Sequence, residues 1–187
     1  MKNIVIFASG KGSNAAALIK HFSNHPAAKV CLVVTNNPSA AVIQAAHSNK
    51  IMSAVVSKDF FGDSEKMMRL LQAVQADWIV LAGFLQLIPP FLLQHFPNRI
   101  VNIHPALLPE FGGKGMYGAR VHEAVIAAGK TESGITIHYV NEKYDEGEII
   151  LQQKLTLAIN ETAESLAQKI QSLEHEWLPK TIEQLIR

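Results

Sequence analysis

The sequence predicts an α/β fold in which a mostly parallel sheet carries helices on both faces and ends in a late antiparallel hairpin. Three observations point there. Apolar, β-branched runs recur at residues 3–8, 30–35, 51–56, 78–82 and 100–103, with stretches of helical character between them. Such alternation marks successive crossover units, which lay strands parallel and bury both faces of the sheet. After residue 104 the rhythm changes to two longer strands, 134–140 and 148–157, joined by a turn-rich segment. Finally, hydrophobic residues make up 48% of the 187-residue chain and charged residues only 18%, enough apolar material for one buried core.

Each element has a local reason. The 3–8 run is apolar at nearly every position, as a strand covered on both sides must be. Ser9 to Asn14 then supplies glycines and small polar residues ahead of an Ala-rich helix. The runs at 30–35, 51–56, 78–82 and 100–103 repeat the strand pattern, and Pro105 stops the last of them. Residues 162–187 read as a terminal helix, with Pro179 expected to kink or divide it. No repeat, low-complexity tract or Pro/Ser-rich linker interrupts the chain, so residues 1–187 are expected to form a single Rossmann-like domain.

Several classes fall away. Only residues 4–8 are apolar ahead of the first polar loop, too few for the core of an export signal. The longest apolar stretch, 78–93, is broken by Gly83, Gln86, Pro89 and Pro90, so no membrane span is expected. The one cysteine, Cys31, has no internal partner, which fits a reducing compartment, and the expected location is cytoplasmic. Net charge is +1, yet the first 58 residues hold six lysines and no Arg, Asp or Glu. That asymmetry suits an anionic ligand as well as it suits plain solubility. No Arg-rich or aromatic-interleaved cluster accompanies it, so nucleic acid is not an expected partner.

Ligands of open parallel sheets bind beyond the carboxyl ends of the strands, which directs attention to three loops. The first, Ser9-Gly10-Lys11-Gly12-Ser13-Asn14, joins glycines to a helix start, a combination suited to one phosphate. A dinucleotide is disfavoured, because Thr35, Asn36 and Asn37 stand where a ribose-binding acid is needed. The second, Asn102-Ile103-His104-Pro105, puts an amide and an imidazole on one face of a strand end, a pair suited to oxyanion and proton chemistry. The third, Tyr144-Asp145-Glu146-Gly147, offers a carboxylate able to orient an imidazole. Plain alternatives are a capped turn without ligand, a structural strand-end histidine and an Asp-x-Gly turn. The segment 83–88 offers exposed backbone and apolar walls suited to a flat heteroaromatic ligand. His21 and His25 have helical metal-pair spacing without a third ligand, His122-Glu123 lacks the second His of a zinc motif, and His138, alternating within a β-run, reads as a packed residue or one that supports a site residue.

With ASGKGSN, VLAGF, NIHPALLP, SGITIHYVNEKYDEG and QSLEHEWLP in order, the chain resembles the folate-dependent phosphoribosylglycinamide formyltransferases over essentially its whole length. The resemblance implies transfer of a formyl group from 10-formyltetrahydrofolate to the amine of glycinamide ribonucleotide, without a metal. It implies that Gly12, Ser13 and Asn14 hold the substrate phosphate, and that Gln171 and Glu174 meet the phosphoribosyl part. Asn102, His104 and Asp145 become the catalytic set, with Asn102 and protonated His104 stabilising the oxyanion. Leu85, Gln86, Leu87 and Ile88, with Asn102 and the stretch Asn141, Glu142, Lys143, Tyr144 and Asp145, become the folate-binding set. Gln86 stands where many members have Arg, and the glycine-rich stretch from Phe111 to Gly118 suggests a mobile flap. Monomer and homodimer are both compatible. Competing readings are a formyltransferase acting on initiator tRNA, a formyl-folate hydrolase, a nucleotide-cofactor oxidoreductase and a phosphometabolite sensor.

Overall fold

The computed structural model describes the whole chain, Met1 to Arg187. Its elements run β1 (Lys2–Phe7), α1 (Ser13–Phe22), β2 (Ala28–Thr35), α2 (Val42–Ser48), β3 (Met52–Val55), α3 (Lys58–Gly62) and α4 (Ser64–Ala73). They continue with β4 (Trp78–Leu81), α5 (Pro90–His95), β5 (Ile100–His104), α6 (Ala119–Ala127), β6 (Glu132–Tyr139), β7 (Ile149–Thr156) and α7 (Ala163–Leu185). The seven strands form one sheet in the order β3-β2-β1-β4-β5-β6-β7. Neighbours from β3 through β5 pair in parallel, whereas β6 joins β5, and β7 joins β6, in antiparallel register.

Period-two alternation explains why the inner strands are apolar throughout. In β1, Ile4 and Ile6 face a core built with α1, α2, α6 and α7, while Val5 and Phe7 face a second core built with α3, α4 and α5. The edge strand β3 is covered less, and Met52 and Val55 remain exposed. Pro179 does not divide the terminal helix, which runs unbroken from Ala163 to Leu185. An interior proline costs a helix about 3 kcal/mol. Burial of Leu178 and Ile182 beside it offsets that cost, at roughly 1.5–3 kcal/mol per large apolar side chain.

The strand order reverses at β1, which has β2 on one side and β4 on the other. A crevice opens where loops leave such a switch point in opposite directions. The loops after β1, β4 and β5 all line one cavity of about 700 Å³, within the range of small-molecule sites.

Candidate active site

The first wall of the cavity is the loop after β1. Gly12 caps α1 in the left-handed conformation, φ 77 and ψ 22. A Cβ there would also stand 2.6 Å from the Val42 Cβ, so glycine is required twice over. No side chain caps the helix and no acid sits in its first turn. Amides at the start of a helix have no intrahelical acceptor, and here they sit at the positive end of the dipole. Ser9 stitches the crevice together: its hydroxyl donates to Asn36 Oδ1 at 2.7 Å and accepts from the Leu85 amide at 3.2 Å. From α7, Gln171 Nε2 donates to Ser13 Oγ at 3.1 Å. Asn14 is buried with its Oδ1 unpartnered. Burial pushes the Glu174 carboxyl up to about 7, with Asn14 pulling the other way.

The second wall joins three elements far apart in sequence. Antiparallel register sets Asn102 of β5 directly opposite His138 of β6, and His104 opposite Thr136. The Thr136 hydroxyl donates to the Ala106 carbonyl at 2.7 Å and accepts from the Leu108 amide at 3.0 Å, which fixes the chain leaving His104. Asp145 enters from the loop between β6 and β7 with φ 57, a conformation Asp tolerates better than most residues. Its Oδ2 lies 3.5 Å from His104 Nδ1 and accepts from the Gly113 amide at 2.9 Å. Its Oδ1 accepts from Asn102 Nδ2 at 3.3 Å. Gly147 lets the loop close, because a Cβ there would overlap the Tyr139 carbonyl.

Charge in this cluster is set by opposed influences. Burial pulls the His104 imidazole below its ordinary range, while Asp145 and the Phe111 carbonyl push it back up less strongly. Burial also pushes Asp145 up, but the His138 and His104 rings, when each carries its second proton, and the Gly113 amide hold it below the usual carboxylate range. His104 Nε2 lies 2.8 Å from the Phe111 carbonyl and so carries a proton. Asp145 therefore remains an anion beside a buried imidazole able to take up a second proton.

A family model for formyl transferases matches residues 2–182. The chain belongs to the formyl transferase family. It is 42% identical over 181 residues to the chloroplastic phosphoribosylglycinamide formyltransferase of Arabidopsis thaliana, covering 93% of this chain and 62% of that one. Its match to the Vigna unguiculata protein of the same name is 39% identical and covers 61% of that protein. The chain thus spans about three fifths of the length of these plant relatives. The Bacillus subtilis phosphoribosylglycinamide formyltransferase is 35% identical, with 100% of this chain and 95% of that one covered. The fold matches the crystal structure of phosphoribosylglycinamide formyltransferase from Bacillus halodurans with a TM-score of 0.88 and 36% identity, over 99% of this chain and 95% of that one.

In this formyl transferase family member the residues singled out in sequence do not all reach the cavity. Gly12, Ser13, Asn14, Glu174, the run Leu85 to Ile88, Asn102, His104, Lys143, Tyr144 and Asp145 line it. Asn141 and Glu142 do not; Asn141 Oδ1 instead accepts from the Lys143 amide at 3.0 Å and shapes the turn. Gln171 meets the site only through Ser13. Leu85 and Leu87 keep 47% and 43% of their surface exposed, an apolar wall facing an opening. Between them, Gln86 has a buried Oε1 without a hydrogen-bond donor. Three further lining residues, His138, His122 and Arg120, were given no place in the site by the sequence reading. His122 is buried with Nδ1 unpartnered, and burial and nearby His104 pull its ring below the ordinary range. The alternation Thr136-x-His138 opposite Asn102-x-His104 is the sequence signal that could have found His138, once the two strands are known to pair. His21 and His25 instead share Glu183, at 2.9 and 3.7 Å, and tie α1 to α7.

Proposed function

We propose that this chain transfers the formyl group of 10-formyltetrahydrofolate to the amine of glycinamide ribonucleotide, giving formylglycinamide ribonucleotide and tetrahydrofolate in purine synthesis. The observation that carries the reading is one cavity with an open, uncapped helix start at one wall and the Asn102, His104, Asp145 cluster at another. The names of full-length relatives such as the Bacillus subtilis protein support the same reading. The phosphate would rest on the amides of Gly12, Ser13 and Asn14, and the ribose near Glu174. The folate ring system would lie along Leu85 to Ile88 and against the loop holding Lys143, Tyr144 and Asp145.

The neutral amine attacks the formyl carbon, forming a C–N bond and a tetrahedral oxyanion. Asn102 can release the hydrogen it shares with Asp145 at 3.3 Å, a long bond, to that oxyanion. The His104 and Asp145 pair holds the proton leaving the amine until the folate nitrogen takes it as its bond to carbon breaks. The test is a parallel assay of the purified chain with 10-formyltetrahydrofolate and either glycinamide ribonucleotide or charged initiator tRNA. Formylation of the ribonucleotide alone is expected. Formylation of the tRNA, or release of formate with no acceptor present, would overturn the reading.

A further inference from the structure

His138 is a buried imidazole, 2% exposed, that the reaction scheme above leaves without a task. It sits opposite Asn102 across the β5 and β6 pair, where side chains on one face meet at close range. Its Nδ1 lies 2.8 Å from the Tyr139 carbonyl. A carbonyl only accepts, so the Nδ1 carries the proton and, in the neutral ring, Nε2 is left as a lone pair. That lone pair faces Asn102 Nδ2 at 3.1 Å. The Asp145 carboxylate stands 3.6 Å from the same Nε2, beyond a hydrogen bond.

The amide of Asn102 has two ways to sit. With nitrogen inward it donates one hydrogen to His138 and the other to Asp145 Oδ1. Turned over, its oxygen would face a lone pair and a carboxylate together, two repulsive contacts in a buried site. We propose that His138 is a positioning residue that, through its Nε2 lone pair, anchors one hydrogen of Asn102 so that the other is aimed at the oxyanion that forms on the reacting carbon. The ring is itself fixed from behind. A Cβ at Gly147 would come within 3.3 Å of His138 Nδ1 and 1.6 Å of the Tyr139 carbonyl, so the returning loop passes close to the imidazole and its acceptor and only glycine fits there. A register shift between Ile137 and His138 in the ladder with β7 accompanies this contact.

The role of the aimed hydrogen rests on the formyl-transfer reading; the orientation of the amide does not. The two are separated by recording ¹⁵N–¹H spectra of the ligand-free protein beside kinetics. The spectra should show His138 protonated at Nδ1 and bare at Nε2, and slowed exchange of the Asn102 side-chain amide, whatever the substrate. His138→Leu should speed that exchange and lower kcat by about ten- to a hundredfold with little change in KM for the ribonucleotide. His138→Gln, whose side-chain oxygen can reach the position of Nε2, should restore most of the loss. In an Asn102→Ala background, His138→Leu should lower kcat no further, because the anchored group is gone. A proton on Nε2, full kcat in His138→Leu or an equal loss in both backgrounds would overturn the proposal. If His138→Leu does not fold, the tautomer and the Gln variant decide: a proton on Nε2, or a Gln variant as slow as Asn102→Ala, would sink it.

Discussion

The loop after β1 and the cluster after β5 line the same cavity, yet they hold their polar groups by different means. The loop is built from neighbours in sequence: Gly12 turns the chain, α1 begins, and its amides are left open by the geometry of any helix start. The cluster is built from strangers. Asn102 and Asp145 are 43 positions apart and Asn102 and His138 are 36 apart, and each pair is brought within hydrogen-bond distance only by strand pairing and the returning loop. A site made of backbone amides tolerates side-chain change and binds a fixed charge. A site made of converging side chains loses its chemistry when any member leaves, so the two walls should fail in different measurements.

Asn102→Ala gives the largest effect expected. Loss of an oxyanion donor typically lowers turnover about a hundred- to a thousandfold, so kcat should fall on that scale while the ribonucleotide KM hardly moves. A KM defect instead would erase the distinction between the walls. Asp145→Asn comes next. Asn tolerates the positive φ at this position, so the backbone should hold. Removing the carboxylate removes an influence that pushes His104 up, leaving burial less opposed. The His104 pKa, followed by NMR, should therefore fall further, with kcat reduced about a hundredfold. An unchanged or higher His104 pKa would leave Asp145 as a turn-former or folate contact.

The loop should show the reverse pattern. Ser13→Asp places a negative charge at the helix start, and about 1.4 kcal/mol of repulsion against a phosphate is already tenfold in affinity. Isothermal titration should show weaker ribonucleotide binding with folate binding intact; equal weakening of both would point to misfolding. The smallest effect concerns Glu174. Its pKa rises from 4.5 to about 7 in the folded state, so the folded chain binds more protons than the unfolded one between those values. Stability should fall as pH rises through that window. Glu174→Gln removes the loss, so the thermal midpoint of the variant relative to its parent should climb between about pH 5 and pH 8. A flat difference would show that the half-buried carboxyl is well solvated.

The sequence also shows where local information ends. Apolar runs marked the five parallel strands to within a few residues, most sharply the inner ones, because a strand buried on both faces cannot be other than apolar. Pro179 was expected to kink or divide the terminal helix; it does not divide it, because burial of Leu178 and Ile182 keeps α7 continuous. Asn141 and Glu142 were read with their neighbours but do not line the cavity; Asn141 instead accepts from the Lys143 amide and shapes the turn.

What the sequence by itself determined was the class of fold, the glycine-containing loop that opens α1 and the residue types that meet in the cavity. Each of these depends on contacts within a few positions along the chain or on a motif read in order. Only the tertiary structure decided which groups meet: His138 against Asn102, Asp145 against His104, the Phe111 carbonyl on His104 Nε2. Antiparallel pairing of β5 with β6 chooses the first pair, and a one-residue slip would turn His138 to the other face of the sheet; the segments that follow β5 and β6 bring in the other two.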